Sequence, residues 1–389
     1  MRTQVAIIGG GPSGLLLSQL LNRAGIGTVV LERRSREYVL GRVRAGILEA
    51  GTVDLLEQAG VGARMHAEGH PHRGCYLTDD QQMIHVDFTE SCGEGVMVYG
   101  QTEVTRDLYD AQDRIGATHL HQVDNVALHD LTGDAPHVTF DQWGASHRLD
   151  CDMIVGCEGF HGVSRLAIPE DVRRDYERVY PFGWLGILSE TPPLRDELIY
   201  ANHPRGFALA SMRNPMLSRY YIQVPLSDRI EDWSDDAFWD EFRRRMPDDV
   251  AADLVTGPSI EKSIAPLRSF VSEPMRWGHL FLCGDAAHIV PPTGAKGLNL
   301  ALSDVRLLSA ALIAHYRDGD DSGLDEYSAQ ALERVWRAVR FSWSVTTMMH
   351  RFPDHDAFDR RMQQVELQAL ATSDSARRLF AECYTGVGL

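Results

Sequence analysis

The chain predicts a mixed α/β fold. A Rossmann-like nucleotide-binding domain is interrupted by a mostly antiparallel domain and closed by C-terminal helices. Three observations predict it. The apolar run Val5-Ala6-Ile7-Ile8 leads into Gly9-Gly10-Gly11-Pro12-Ser13-Gly14 and then a helical stretch, the order of a buried parallel strand, a tight turn and a helix. Far along the chain a second apolar run, Leu280-Phe281-Leu282-Cys283, enters another glycine turn, Gly284-Asp285-Ala286-Ala287-His288. Between them, from about Val179 to Pro225, the residues are strand-forming, aromatic and turn-rich.

Taken in order, Leu15 to Ala24 reads as the first helix, stopped by Gly25 and Gly27, and Thr28-Val29-Val30-Leu31 is the second strand, ending on Glu32. Residues 45–60 and 102–116 read as helices. Residues 137–143 and 147–155 look like a hairpin leading into Gly156-Cys157-Glu158-Gly159. A helix is expected from about Asp236 to Met246 and a long one from about Lys296 to Tyr316, with a helical tail from about Asp325. This plan assigns 1–175 with 265–320 to the nucleotide domain. It gives 176–264, with part of 70–100, to a substrate-binding sheet, and 321–389 to a C-terminal helical, interface-forming region.

Composition narrows the function. Of 389 residues, 44% are apolar and 24% charged, which is globular and excludes a disordered or collagen-like chain. With 38 basic against 55 acidic residues the net charge is −17, so no nucleic-acid partner is expected, because phosphate binding needs a basic face. The six cysteines stand singly and no Cys-x-x-Cys occurs. Reduced thiols, no metal site and a cytoplasmic location are the expectation. No run of 18 apolar residues occurs, and Met1-Arg2-Thr3 passes straight into a strand, so neither a membrane partner nor a signal peptide is expected.

The glycine loop carries the first chemistry. Gly9, Gly11 and Gly14 form Gly-x-Gly-x-x-Gly after a strand and before a helix, and Glu32 follows Gly14 by 18 residues. That is the spacing for a pyrophosphate on a helix N-terminus and a carboxylate on a ribose hydroxyl. The motif alone does not separate FAD from NAD. The second turn, followed by Pro291-Pro292-Thr293-Gly294-Ala295-Lys296-Gly297-Leu298-Asn299 and a helix, suits a flavin. A second helix N-terminus would lie near the isoalloxazine, where the reduced ring carries negative charge. Asp285 would accept from the ribityl chain. One nucleotide fold leaves a nicotinamide donor to bind transiently at the surface.

The chain resembles the single-component aromatic flavoprotein hydroxylases over nearly its whole length. The resemblance rests on Gly9 to Gly14, Glu32, Leu40-Gly41-Arg42-Val43-Arg44-Ala45-Gly46, Tyr99-Gly100-Gln101-Thr102-Glu103, Gly156 to Arg165, Tyr200-Ala201-Asn202-His203-Pro204-Arg205-Gly206, Gly284 to Asn299, and Tyr384. One departure is Glu158-Gly159, where the family usually has Asp-Gly. The resemblance implies a FAD-binding fold of the glutathione-reductase type holding non-covalent FAD. Its implied contacts are Ser13, Glu32, Arg42, Val43, Arg44, Ala45, Gly46, Ile47, Gln101, Asp285, Leu298 and Asn299. Arg44 would bind the pyrophosphate with its two-pronged guanidinium.

Ser211 and Arg213 are two apart on one predicted strand, and Tyr221 lies on the next, past Asn214-Pro215-Met216-Leu217. A serine hydroxyl, a guanidinium and a phenol make a carboxylate clamp. Spacing alone leaves open an exposed hairpin with ordinary polar residues. The resemblance implies that these three, with Met212 between them, bind an aromatic carboxylate. It further implies that the substrate phenol meets Tyr200 and the backbone carbonyl of Pro292. Tyr384 and a near-surface His72 would carry the proton onward, favouring the phenolate over a phenol with a pKa of ~10.

Arg33, Arg34 and Arg36 crowd one turn of an acidic chain, suiting an NADPH 2′-phosphate, with NADH possible. The resemblance places NADPH contacts at Arg33, Tyr38, Arg42, Arg44, His161 and Arg268, and implies a homodimer. The expected activity is hydroxylation of 4-hydroxybenzoate to 3,4-dihydroxybenzoate with NADPH and O2. The alternatives are a hydroxylase of another aromatic acid, such as an aminobenzoate or a dihydroxybenzoate, and a non-catalytic FAD-fold binding protein.

Overall fold

The computed structural model describes residues 1–41 and 46–387. Its first sheet has six strands in the spatial order Arg276–Trp277, Leu280–Leu282, Met153–Gly156, Val5–Ile8, Thr28–Glu32 and Thr118–His121. All neighbours are parallel except the edge strand Arg276–Trp277. The central strands are apolar on both faces because helices cover both. Pro12–Arg23, between Gln101–Ile115 and Gly297–Asp318, is one of these helices.

The second sheet has eight strands in the order His288–Ile289, Ser259–Glu273, Arg174–Ser189, Leu217–Pro225, Ala208–Asn214, Leu198–Asn202, Gly74–Asp79 and Gln82–Asp87. It is antiparallel apart from the pair Leu198–Asn202 with Gly74–Asp79. One face meets the helix Asp235–Arg243 through Tyr220, Trp239 and Phe242. The other meets the C-terminal helices Ser322–Met349, Ala357–Thr372 and Asp374–Thr385 through Trp184, Phe207, Met349 and Tyr384.

Two elements differ from the sequence expectation. Residues 147–155 are not one hairpin arm. Ala145–Asp150 pairs antiparallel with His137–Gln142, then Cys151-Asp152 turns the chain and Met153–Gly156 enters the parallel sheet. The helix expected over 45–60 is shorter, Ala50–Gln58, because Ile47–Leu48 pairs as strand with Met97-Val98. The helix Gly297–Asp318 is long and apolar enough to cross a membrane by length and composition, yet 61% of its apolar window is buried inside the protein. The six cysteines are free thiols.

Candidate active site

Each glycine of the first loop has its own reason. Gly9 has φ +106°, and a Cβ on it would lie 2.5 Å from the Cys157 carbonyl oxygen. A Cβ on Gly14 would lie 2.0 Å from the Gly9 carbonyl oxygen, so helix and strand approach only without one. A Cβ on Gly11 meets nothing within 4 Å, so this side of the loop is open to a ligand. The helix that follows has Pro12 at its start and no side chain capping it, which leaves its first N–H groups and its positive dipole end for an anion. The Glu32 carboxylate accepts the Gly10 N–H at 2.7 Å and the Arg34 N–H at 2.7 Å, fixing the acid at the rim of the loop.

The second glycine turn closes on the first. Gly284, at φ +61°, packs so that a Cβ there would lie 3.2 Å from the Ser13 hydroxyl. Asp304, buried in the long helix, holds this turn. One of its oxygens accepts the Gly284 N–H at 2.8 Å and pairs with His288 Nε2 at 2.6 Å. Burial pulls the His288 pKa down, but Asp304 more than offsets this, and the net shift is upward. Asp285, the next residue, is exposed.

Gly46 fits under Tyr99, where a Cβ would lie 1.8 Å from the carbonyl oxygen and 2.8 Å from the Gln101 nitrogen. Asn299 donates to the carbonyls of Ile47 and Ala295 and accepts the Glu49 N–H. Gly46, Ile47, Gln101, Leu298 and Asn299 thus gather at the start of the long helix. Arg42, Val43, Arg44 and Ala45 lie outside the described residues. An open glycine cradle, an uncapped helix start and a rim carboxylate fit the pyrophosphate and ribose of a dinucleotide, and the nearby second turn leaves a place for a flavin ring.

The antiparallel sheet supplies the second half. In the hairpin Ala208–Asn214 and Leu217–Pro225, Ser211 faces Arg219 and Leu209 faces Tyr221 across the ladder. The period of two puts Ser211, Arg213, Arg219 and Tyr221 on one face. Arg213 donates to the Ser211 hydroxyl at 3.2 Å, and the Tyr221 hydroxyl faces its guanidinium. Its Nε is buried without a partner, no carboxylate pairs with it among the described residues, and burial lowers its pKa. This desolvated cation suits an incoming carboxylate. The same alternation turns the Met212 side chain to the opposite face. On the Arg213 side Met212 offers only its carbonyl, which accepts from Arg213 at 3.3 Å.

Register carries this face across the sheet. Tyr200 lies opposite Leu209, and Leu209 opposite Tyr221, so Tyr200 and Tyr221 occupy one row two strand spacings, roughly 10 Å, apart. The Tyr200 hydroxyl lies 2.8 Å from that of Tyr384, and both rings are 2% exposed. Burial pushes both phenols well up. Tyr384 stacks on Phe88 at 4.7 Å, and its backbone carbonyl accepts from the buried Lys296, whose ammonium also pairs with Glu49 at 2.7 Å. Lys296 thereby ties the C-terminal helix to the Pro291–Lys296 loop. The Pro292 carbonyl stands outside strand pairing but accepts the Ala295 N–H at 3.0 Å, leaving one lone pair.

His72 differs from its expected near-surface place. Its strand pairs with Val96–Val98, and alternation turns the imidazole inward to 3% exposure. Both ring nitrogens are buried and unpartnered, and burial lowers its pKa. The Tyr200–Tyr384 pair is therefore not joined to His72 by a direct bond.

A family profile described as "FAD binding domain" matches residues 2–342. The chain belongs to this FAD-binding family. FAD is its cofactor, and the chain is a flavoprotein monooxygenase by relationship. A p-hydroxybenzoate hydroxylase of Acinetobacter baylyi is 53% identical over 388 residues, covering 100% of this chain and 96% of that protein. A probable NADH-specific resorcinol 4-hydroxylase of Rhodococcus jostii is 27% identical over 84% of this chain and 62% of its own length. Among solved structures, p-nitrophenol 4-monooxygenase PnpA of Pseudomonas putida superposes with a TM-score of 0.83 at 16% identity, covering 99% and 98% of the two chains, which shows the shared fold.

The residues read as nicotinamide contacts fall into separate places. Arg33, Arg34, Ser35 and Tyr38 line an open surface recess of about 490 Å³, completed by Gln122 and Asp124. His161 and Arg268 meet elsewhere, around Phe160, at 5.0 Å and 4.6 Å from its ring. Glu158 folds back into its own loop. It accepts the Ser164 N–H at 2.7 Å, and a Cβ on Gly162 would lie 1.9 Å from its Cγ. Asp304, Lys296 and Glu49 were not singled out in the sequence. Their partners lie 16 to 247 residues away, beyond the reach of local spacing.

Proposed function

We propose that this flavoprotein hydroxylates 4-hydroxybenzoate at the ring carbon beside the hydroxyl, giving 3,4-dihydroxybenzoate, with NADPH as reductant and O2 as oxidant. The observation that carries the reading is the single row of the large sheet with a cationic clamp at one end and a buried pair of phenols at the other. The full-length relationship to a p-hydroxybenzoate hydroxylase supports the same substrate.

The Gly9–Gly14 loop, the helix start behind it and Glu32 would hold FAD, which would supply the electrophilic oxygen, with NADPH as reductant and O2 as oxidant. The chain's own residues prepare the ring. Arg213, Ser211 and Tyr221 hold the carboxylate, charge against charge in a desolvated site. That anchor directs the para hydroxyl toward Tyr200 and the remaining lone pair of the Pro292 carbonyl. Tyr200 then donates to the substrate oxygen as its proton leaves, and Tyr384 donates to Tyr200 behind it, so the phenolate is favoured and the ring made nucleophilic. His72 serves as the outer proton acceptor through water, since its ring nitrogens have no protein partner. Arg33 and Arg34 hold the NADPH 2′-phosphate in their recess, with Tyr38 at its wall. A cytoplasmic homodimer completes the reading, with the domain division 1–175 plus 265–320, 176–264 plus part of 70–100, and 321–389.

The test is direct. The purified protein is expected to be yellow and to release its flavin on acid precipitation. NADPH oxidation should be stimulated most by 4-hydroxybenzoate within a panel including aminobenzoates and dihydroxybenzoates, with the catechol identified as product. Strongest stimulation and product from another benzoate would move the assignment to that substrate.

A further inference from the structure

Tyr221 is held in place by something the other clamp residues lack. Its strand neighbour across the ladder is Gly186, in the 16-residue strand Arg174–Ser189. A Cβ on Gly186 would lie 2.5 Å from both Cδ1 and Cε1 of the Tyr221 ring. The ring therefore lies flat across the strand in the space where a side chain would stand. Glycine inside a strand costs order and packing, and its presence there marks a close approach. The backbone itself does not demand it, for Gly186 is not among the glycines with positive φ. The tyrosine ring does.

The slot has two walls. Trp184, two residues along on the same face, sits 5.1 Å from the Tyr221 ring at 48°. Its indole is fixed in turn, donating to His350 Nε2 at 2.8 Å and stacking on Phe207 at 4.9 Å. On the other side the Arg219 guanidinium covers the ring at 5.1 Å, held by Glu261 at 2.9 Å and the Ser263 hydroxyl at 3.0 Å. A ring walled on both sides cannot turn away from a methyl group beneath it. It has to lift off the strand, and its hydroxyl leaves Arg213.

We propose that Gly186 is a specificity-determining position of this enzyme: the missing side chain seats the Tyr221 ring between Trp184 and Arg219 and so sets the aim of the carboxylate clamp. This rests on the reading of Tyr221 as a clamp residue.

The experiment titrates the flavin absorbance of the FAD-loaded protein with 4-hydroxybenzoate and with 4-hydroxybenzamide. Tyr221→Phe tests the clamp: unchanged benzoate affinity would remove Tyr221 from it, whatever Gly186 does. Gly186→Ala tests the inference. It should weaken benzoate at least tenfold while weakening the amide much less, with FAD content retained. In a Tyr221→Ala background, which has no ring to displace, adding Gly186→Ala should change benzoate affinity less than about threefold. Wild-type affinity in Gly186→Ala, or an equal loss in both backgrounds, overturns the proposal. Should Gly186→Ala alone fail to fold, recovery of a folded, FAD-loaded protein in Gly186→Ala/Tyr221→Ala supports it, and failure to recover overturns it.

Discussion

Removing the Tyr200 hydroxyl isolates the end of the site proposed to activate the ring. In Tyr200→Phe the aromatic packing stays, and the 2.8 Å bond to Tyr384 is lost together with the donor to the substrate oxygen. A hydrogen bond to a charged acceptor is worth about 1.5–3 kcal/mol. Lost from the phenolate form, that is roughly ten- to 150-fold in rate and a rise of about 1–2 units in the pKa of the bound phenol. Tyr384→Phe removes a bond between neutral hydroxyls, worth about 0.5–1.5 kcal/mol, and its effects should be correspondingly smaller. The pair also leaves a signature in stability. Each single variant strands one buried hydroxyl, at a cost of about 1–3 kcal/mol, whereas the double variant strands none. The assays are an ultraviolet pH titration of bound 4-hydroxybenzoate, catechol formed per NADPH consumed, and denaturant melts of the four proteins. Tyr200→Phe should still bind FAD and substrate but convert oxygen to hydrogen peroxide instead of product. An unchanged phenol titration with full coupling in Tyr200→Phe would refute the role given to the pair.

Three further outcomes are expected. Arg213→Ala should cost about 2–5 kcal/mol of benzoate affinity, because it removes the charged partner from a desolvated carboxylate, with FAD content unchanged; a normal flavin-difference titration would place the clamp elsewhere. Neutralising Arg33 and Arg34 together should raise KM for NADPH more than for NADH, and equal rises would make their recess an ordinary basic surface. The third concerns pH. The folded-state pKa of His288 is raised, so its pairing with Asp304 stabilises fully below about pH 6.5 and the benefit fades as pH rises through the folded value. Asp304→Asn should therefore lower Tm most at acid pH and progressively less toward alkaline pH; a constant difference from pH 5 to 9 would show that the pair does not titrate.

How much of this was legible in advance follows from how far apart the interacting residues lie in the chain. The loop Gly9–Gly14 and Glu32 could be read from spacing, because strand, turn, helix and strand follow directly, and Gly9 and Gly14 answer close contacts within that unit or its neighbouring strand while Gly11 leaves the loop open. The clamp was half legible. A period of two put Ser211 beside Arg213 and Arg219 beside Tyr221, but the facing of the two strands depends on register, and the same alternation removes the Met212 side chain from the site. Residues 147–155 misled because Cys151-Asp152 breaks the strand without glycine or proline. The segment's apolar end belongs to a different sheet, a distinction that local hydrophobicity does not carry. His72 misled for a related reason: strand pairing decides which way a polar residue turns, and here it turned a histidine into the interior.

What stayed illegible is the support beneath the chemistry, and its absence from the sequence pattern has one physical cause. Gly186 is a glycine inside a strand, a feature that usually weakens it. Its use appears only when Tyr221, 35 residues later, is laid over it by the ladder. Lys296 reads as a surface-type residue in a glycine-rich loop, yet it is buried against Glu49 and the Tyr384 carbonyl. Asp304 reads as a polar break in an apolar helix and becomes the anchor of the second glycine turn. In each case the residue violates its local pattern: a gap in a strand, a charge in a core, an acid in an apolar face. Such violations cost stability unless a distant partner offsets them, and in this chain the partners are a clamp tyrosine, the helix end that carries Tyr384, and the turn that carries Asp285. Residues out of keeping with their own element therefore mark where one part of this molecule holds a distant part in position, and Gly186 is the one whose removal can be tested without touching a charge.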